Sequence, residues 1–345
     1  MCRINWLVAF LTLLLGTVCA YSQNQEPFWL GADISGTLQM ERHGVKLYNQ
    51  GGAERENTAL MKELGLNAVR LRVWVDPKEG ECNPEYVLNM AIRAKRLDMA
   101  IMIDFHYSDW WADPAKQNIP HDWKSFSYGK MKKALARHTY ETLKLLRDNG
   151  VDVKWVQVGN ETTDGFLWDV CRASTNMRQY AGLTDAGYKA VKKVYPQATV
   201  IVHLDGGSDI ERYHRIFDGL RRYHARWDMI GMSVYPYWDK EAHITQSAQE
   251  TVERFTANIR QLADEYQCDF MVVETGTEVS KPDEGKKIMQ SIIEGAAFNT
   301  GGHCKGVFYG APELEGPYPL GAFRNHRPTV IMEAFTEASA KLNHH

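Results

Sequence analysis

Short apolar runs recur along the chain, and most are followed by a longer stretch whose apolar residues fall at helical spacing. The runs that read as strands are Trp29 to Ile34, Ala68 to Val75, Ala100 to Phe105 and Val153 to Val158, then Thr199 to Leu204, Met229 to Val234, Phe270 to Val273 and Gly306 to Tyr309. They are almost continuously apolar, as parallel strands covered on both faces are. Between them, helices are predicted over Arg55 to Leu64 with Gly65 as C-cap, Pro84 to Arg96, Lys130 to Asp148 before the stop signal Asn149-Gly150, and Thr184 to Tyr195 before Pro196. Further helices are predicted over Ala248 to Tyr266, Glu284 to Asn299 and Thr329 to Leu342. Alternation at this density predicts parallel βαβ units, and hence an α/β fold: a single (β/α)8 TIM barrel. The rival is a doubly wound open sheet, but no G-x-G-x-x-G follows the first strand.

Composition agrees with one large soluble domain. The chain has 345 residues, 44% hydrophobic and 24% charged, whereas such a barrel needs about 250 residues. A net charge of -3 supplies no basic field for nucleic acid. No repeat, low-complexity stretch or Pro/Gly/Ser linker divides the chain. At the N-terminus, Arg3 precedes a short apolar run, Leu7 to Leu15, and Val18-Cys19-Ala20 resembles a signal-peptidase site. The expectation is a signal peptide over residues 1–20, a catalytic barrel domain over 21–345, and a protein that is secreted, periplasmic or held at the cell surface. Membrane attachment is expected only if Cys19 carries a lipid, and Val18 is bulkier than the residue that usually precedes such a cysteine. Cys82, Cys171, Cys268 and Cys304 are far apart, so spacing leaves both disulfides and free buried thiols open. No C-x-x-C or H-E-x-x-H occurs, and the expectation is an enzyme without metal or cofactor, acting as a monomer.

The strand tips carry the chemistry. The fourth strand runs into Gly159-Asn160-Glu161, and the seventh ends on Glu274. Active sites of such barrels lie at the C-terminal ends of the strands, and glycosidic hydrolysis calls for two facing carboxyl groups. Other tips are polar or aromatic: Asp33; Arg70 and Arg72, which share a face; the stretch Asp104 to Trp111; His203 and Asp205; and Tyr235-Pro236-Tyr237-Trp238.

Several of these segments resemble family 53 glycoside hydrolases, the endo-β-1,4-galactanases that cut galactan side chains of pectin. The likeness lies in Gly31-Ala32-Asp33-Ile34-Ser35, Leu71-Arg72-Val73-Trp74-Val75 and Asp104-Phe105-His106-Tyr107-Ser108-Asp109. It continues through Trp111-Ala112-Asp113-Pro114, Lys116-Gln117, Val156 to Glu161, His203-Leu204-Asp205 and Val272-Val273-Glu274-Thr275, covering about residues 28 to 335. The resemblance implies Glu161 as acid/base and Glu274 as nucleophile in a retaining reaction. It implies Asn160 on the sugar 2-hydroxyl, and Arg72 beneath the nucleophile, keeping it ionised. Tyr235 and His106 would orient the carboxylates or bind sugar, and Trp111 and Trp238 would offer flat faces to galactose rings. Asp33, Asp109, His203 and Asp205 complete the expected substrate-binding set, with β-1,4-galactan as the polysaccharide partner.

The chain departs from the family pattern in three places. Gly276-Thr277-Glu278-Val279 replaces Ala-Tyr-Pro-Trp after the nucleophile. Tyr309-Gly310-Ala311-Pro312 replaces Tyr-Trp-Glu-Pro on the eighth strand, which leaves Tyr318 or Phe323 to stand in for the missing Trp. The calcium-loop pattern after the seventh strand is absent, with only Asp283 and Glu284 nearby. Three rival readings follow: a retaining barrel glycosidase for another glycan such as mannan or xylan, a non-catalytic glycan-binding barrel, and a metal-dependent hydrolase suggested by Asp104-x-His106.

Overall fold

A computed structural model describes residues 26–342; the expected signal segment and Cys19 lie outside the described residues. The strands are β1 (Trp29–Asp33), β2 (Ala68–Val73), β3 (Ala100–Phe105), β4 (Trp155–Val158), β5 (Thr199–Leu204), β6 (Met229–Val234), β7 (Asp269–Thr275) and β8 (Cys304–Gly310). All are parallel to their neighbours, and β8 pairs with β1 to close the barrel. The outer layer is α1 (Asn57–Glu63), α2 (Pro84–Arg96), α3 (Tyr128–Asp148), α4 (Ala173–Val194), α5 (Ile210–Arg222), α6 (Ala248–Tyr266), α7 (Pro282–Phe298) and α8 (Glu333–Leu342). The caps follow the sequence. Asn83 accepts from the Tyr86 amide ahead of Pro84, and Ser247 accepts from the Glu250 amide; each satisfies a donor that the helix start leaves open.

The expected architecture is present, with differences at its edges. Strand β2 stops at Val73, before Trp74 and Val75, and β4 starts at Trp155, after Val153. Helix α4 begins at Ala173, with non-helical dihedrals at Asn176, because the polar stretch before Thr184 hides its start. Helix α5 has no counterpart among the helices expected from the sequence. Its apolar residues Tyr213, Ile216, Phe217 and Leu220 do keep helical spacing, but they sit among charged side chains. The four cysteines within the described residues are all free thiols. Among the described residues no helix is long and apolar enough to cross a membrane.

The barrel interior changes character along its axis. Ala68, Met102, Trp155, Ile201, Met229, Met271, Val273 and Phe308 form a closed apolar plug. Gly31 belongs to this packing, since a Cβ there would lie 2.3 Å from the Phe308 ring. Towards the C-terminal ends of the strands the interior turns polar: Asp33, Arg70, Arg72, Asp104, Gln157, His203 and Ser233 are all buried. The plug excludes water from below, so these groups must satisfy one another. Replacing Phe308 by Ala should cost about 3–5 kcal/mol, read as a lower denaturation midpoint; an unchanged midpoint would show that the ring does not fill the space left by Gly31.

Candidate active site

The two glutamates reach the mouth by different devices. After β4, Gly159 has φ +92, and a Cβ there would meet Thr162 at 2.4 Å. Glu161 itself takes φ 46, a strained conformation for a non-glycine residue, which turns its carboxyl inward. On β7, Val273 already faces the apolar plug, so strict alternation would point Glu274 outward. The register slips there: Met232 pairs with Val272 but Ser233 pairs with Glu274, leaving Val273 as an extra residue. That bulge returns the Glu274 side chain to the interior. One oxygen of each glutamate and a ring nitrogen of His203 lie within 4.8 Å of one another.

Arg70 organises the floor beneath them. Its Nη1 donates to Asp33 at 2.7 Å, Nη2 to Asp104 at 2.8 Å and Asn160 Oδ1 at 2.7 Å, and Nε to Gln157 Oε1 at 2.8 Å. The same Nη2 lies 3.4 Å from Glu274 Oε2. The role expected of Arg72 therefore falls to Arg70. Arg72 is one interior layer nearer the mouth and is drawn sideways: its guanidinium stacks on Trp111 at 3.7 Å, lies 3.6 Å from the Cys82 sulfur and only 3.8 Å from Asp33. Tyr235, by contrast, does orient a carboxylate, donating to Glu274 Oε1 at 2.8 Å.

The electrostatics separate the two carboxyls. Burial pushes Glu161 well above the ordinary range, and the negative charges of Glu274 and Asp205 add to it, against a hydrogen bond from Ser233. Burial also raises Glu274, but Arg70 and Tyr235 oppose that rise. The proton shared by the pair therefore belongs on Glu161, and the charge on Glu274. Burial alone would lift Asp104, yet Arg70 and then His106 hold it down at about 2.

Several residues expected to bind sugar instead build this floor. Asp33, His106 and His203 are each at most 2% exposed. Asp33 bonds Arg70 and the Ser35 amide, and His106 Nε2 lies 2.9 Å from Asp104. Both His203 nitrogens face protein partners, Ser233 on Nε2 and Gln157 and Asn160 on Nδ1. Asp109 ties two loops by accepting from the Asp76 and His121 amides, and Asp205 pairs with Arg212 and Thr163. Asn160 is held beside Glu161 by Arg70 and by its own donation to Ala112 O at 2.9 Å. Trp111 gives one face to Arg72, whereas Trp238 is 45% exposed and free to meet a ligand. Trp110, 50% exposed and packed on Trp74, is a further aromatic at the mouth that the sequence does not set apart from its neighbours. The sequence marks Arg70 only as sharing a face with Arg72, and it leaves Gln157 and Ser233 out of the expected site. The last two do carry a signal, each being one polar residue inside an apolar strand.

The strand-8 departure has a steric counterpart. A Cβ on Gly310 would lie 2.4 Å from the Tyr235 hydroxyl and 2.9 Å from Glu274 Cγ, so no side chain fits at that tip. Tyr318, on the following loop, lies close enough to Tyr235 and Glu274 to feel their charge, while Phe323 is buried in the core. Glu161, His203 and Glu274 have the spacing of a metal site, but the partners above already occupy the imidazole nitrogens and three of the four carboxylate oxygens. The arrangement suits proton transfer more than metal ligation.

Comparison with known proteins places this geometry. The profile of Glycosyl hydrolase family 53 matches residues 29–301. A probable arabinogalactan endo-β-1,4-galactanase A of Aspergillus fumigatus is 31% identical over 277 residues, 78% of this chain and 75% of that protein. An endo-β-1,4-galactanase of Bacillus subtilis is 30% identical over 315 residues, 83% and 70% of the two chains. A solved fungal β-1,4-galactanase superposes with a TM-score of 0.81 at 26% identity, covering 90% of this chain and 99% of its own.

Arg70→Met should be far more damaging than Arg72→Met. Losing Arg70 takes from the buried Asp33 and Asp104 their nearest cation, leaving them only Arg72 at 3.8 Å and His106, a loss of about 3–5 kcal/mol. It also lets Glu274 rise further, so in any folded fraction the acid limb of the pH–rate profile should move to higher pH. Denaturation midpoints and pH profiles of both variants check this; equal effects would return the nucleophile-supporting role to Arg72.

Proposed function

Because the chain belongs to glycosyl hydrolase family 53, we propose that it is an exported endo-β-1,4-galactanase that cleaves galactan side chains of pectin with retention of anomeric configuration. The observation that carries the stereochemical reading is the approach of Glu161 and Glu274, with oxygens within 4.8 Å. Retaining glycosidases keep their carboxyl groups about 5–5.5 Å apart, whereas inverting ones leave about 6.5–9.5 Å for a water. The names of the Aspergillus and Bacillus relatives support galactan as substrate, and the apolar N-terminal run supports export.

The reaction follows from the protonation states. Glu274, ionised beside Arg70 and Tyr235, attacks the anomeric carbon. The glycosidic C–O bond breaks as the new C–O bond forms, and Glu161 gives its proton to the departing oxygen. Glu161, now a carboxylate, then takes a proton from water as the water oxygen displaces Glu274. In this reading Asn160, beside the acid, holds the sugar 2-hydroxyl with the amide hydrogen that Ala112 leaves free, and the exposed Trp238 offers a flat face to a sugar ring.

Incubation with linear β-1,4-galactan should yield short galacto-oligosaccharides whose first-formed anomer is β. Glu274→Ala should leave no measurable turnover, since no other group can form the covalent intermediate. Glu161→Ala should lose about 10²–10⁴-fold on galactan but much less on an aryl galactoside with a good leaving group, which needs little protonation. An α first product would sink the retaining reading, and cleavage of mannan or xylan in preference to galactan would sink the substrate.

A further inference from the structure

Glu161 is gripped from one side. Ser233, on β6, donates to Glu161 Oε1 at 2.6 Å and lies 2.8 Å from His203 Nε2. Ser233 and His203 are 1% and 0% exposed, so they sit behind the acid rather than against a substrate.

What lies beyond His203 decides which way this line of hydrogen bonds runs. Arg70 donates to Gln157 Oε1 and thereby turns the Gln157 amide nitrogen towards the ring, where it lies 2.9 Å from Nδ1. The backbone N–H of Glu161 also points at Nδ1, at 3.3 Å. Asn160 Oδ1, an acceptor that Arg70 also serves, is 2.9 Å from the same nitrogen and is the one partner that would favour a proton there, against the two donors. Two donors converge on Nδ1, which makes it an acceptor and puts the ring proton on Nε2. Nε2–H then donates to Ser233 Oγ, and the serine hydroxyl has only Glu161 Oε1 left to receive its hydrogen.

We propose that Ser233 and His203 are positioning residues that clamp Oε1 of Glu161 as an acceptor, so that the catalytic proton is carried on Oε2, the oxygen left to face the glycosidic bond. A proton on Oε1 would confront the serine hydrogen. The clamp is neutral: burial and then Arg70 push His203 well below its usual range, so it adds no cation that would strip the acid. The charged and titratable groups that face Glu161 are Glu274, Asp205, Arg70, Tyr213, Tyr235 and Tyr318; those around His203 are Arg70, Asp104 and His106. Of these, Ser233→Ala removes none. The inference rests on Glu161 being the acid/base of the proposed reaction.

The sign is fixed by which form the serine favours. Its donated bond stabilises the ionised carboxyl, so its loss raises the Glu161 pKa. Because Glu161 must be protonated in the first step, the basic limb of kcat/KM moves to higher pH. For Ser233→Ala the limb should rise by about one to two pH units, with kcat on galactan lowered about tenfold and KM little changed. Ser233→Thr keeps the hydroxyl and should restore the parent profile, which a packing role would not require. In parallel, the carboxyl carbon of Glu161 is titrated by NMR in the full-length protein, identified by its loss in Glu161→Gln. Its midpoint should rise in Ser233→Ala and return in Ser233→Thr. A midpoint that stays put or falls in Ser233→Ala overturns the clamp. The titration needs no turnover, so a parent inactive on galactan would sink the substrate reading while the carboxyl midpoint still decides this one.

Discussion

The buried guanidinium of Arg70 is the constraint on which the site depends. It sits inside the barrel, cut off from water, and each of its nitrogens is engaged: two carboxylates, two amides and the edge of a third carboxylate. An ion this deep survives only if its partners are complete, and those partners come from β1, β3, β7 and from β4 with its exit turn. One side chain thereby ties four strands at the level where chemistry happens. It also orients Asn160 and Gln157, so the acid's neighbours inherit their amide directions from the same cation.

The local charge balance follows. Arg70 and Arg72 bring two positive charges against the negative charges of Asp33, Asp104 and Glu274. The floor is therefore already negative when Glu161 is considered, and Asp205 stands behind it. A further carboxylate charge is unfavourable there, whereas Glu274 is favoured in its ionised form against the same surplus because, of the two glutamates, it is the one beside the Arg70 cation. Two glutamates with identical chemistry are thus biased towards different charge states by burial and by their distance to one guanidinium.

How much of this the sequence disclosed depends on the length scale. Apolar runs and their spacing marked the eight strands because each is a local pattern, and the two glutamates stood out because each directly follows such a run. Depth inside the barrel was not legible. Arg70 and Arg72 share a face, and alternation cannot say which of two residues one layer apart meets a carboxylate from β7. The bulge at Val273 was equally hidden, since it is a property of pairing with β6 and not of β7 alone. Helix α5 was hidden for a different reason: its charge density obscured an apolar stripe that becomes evident only against the barrel.

The departure on the eighth strand borders this machinery, and Gly310 shows why it is tolerated. The space a side chain would take at that tip is filled by the Tyr235 hydroxyl, which is bonded to Glu274. A bulky residue there and this Tyr235 position exclude one another. The chain thus keeps the Tyr235 support of Glu274 without an aromatic wall on β8, and Tyr318, on the following loop, lies near Tyr235. The loop is anchored close by, since the Tyr309 hydroxyl bonds the Leu320 and Gly321 carbonyls. The change therefore reshapes the cleft beside Glu274 and leaves untouched the set of contacts through which Arg70 acts on both carboxyls.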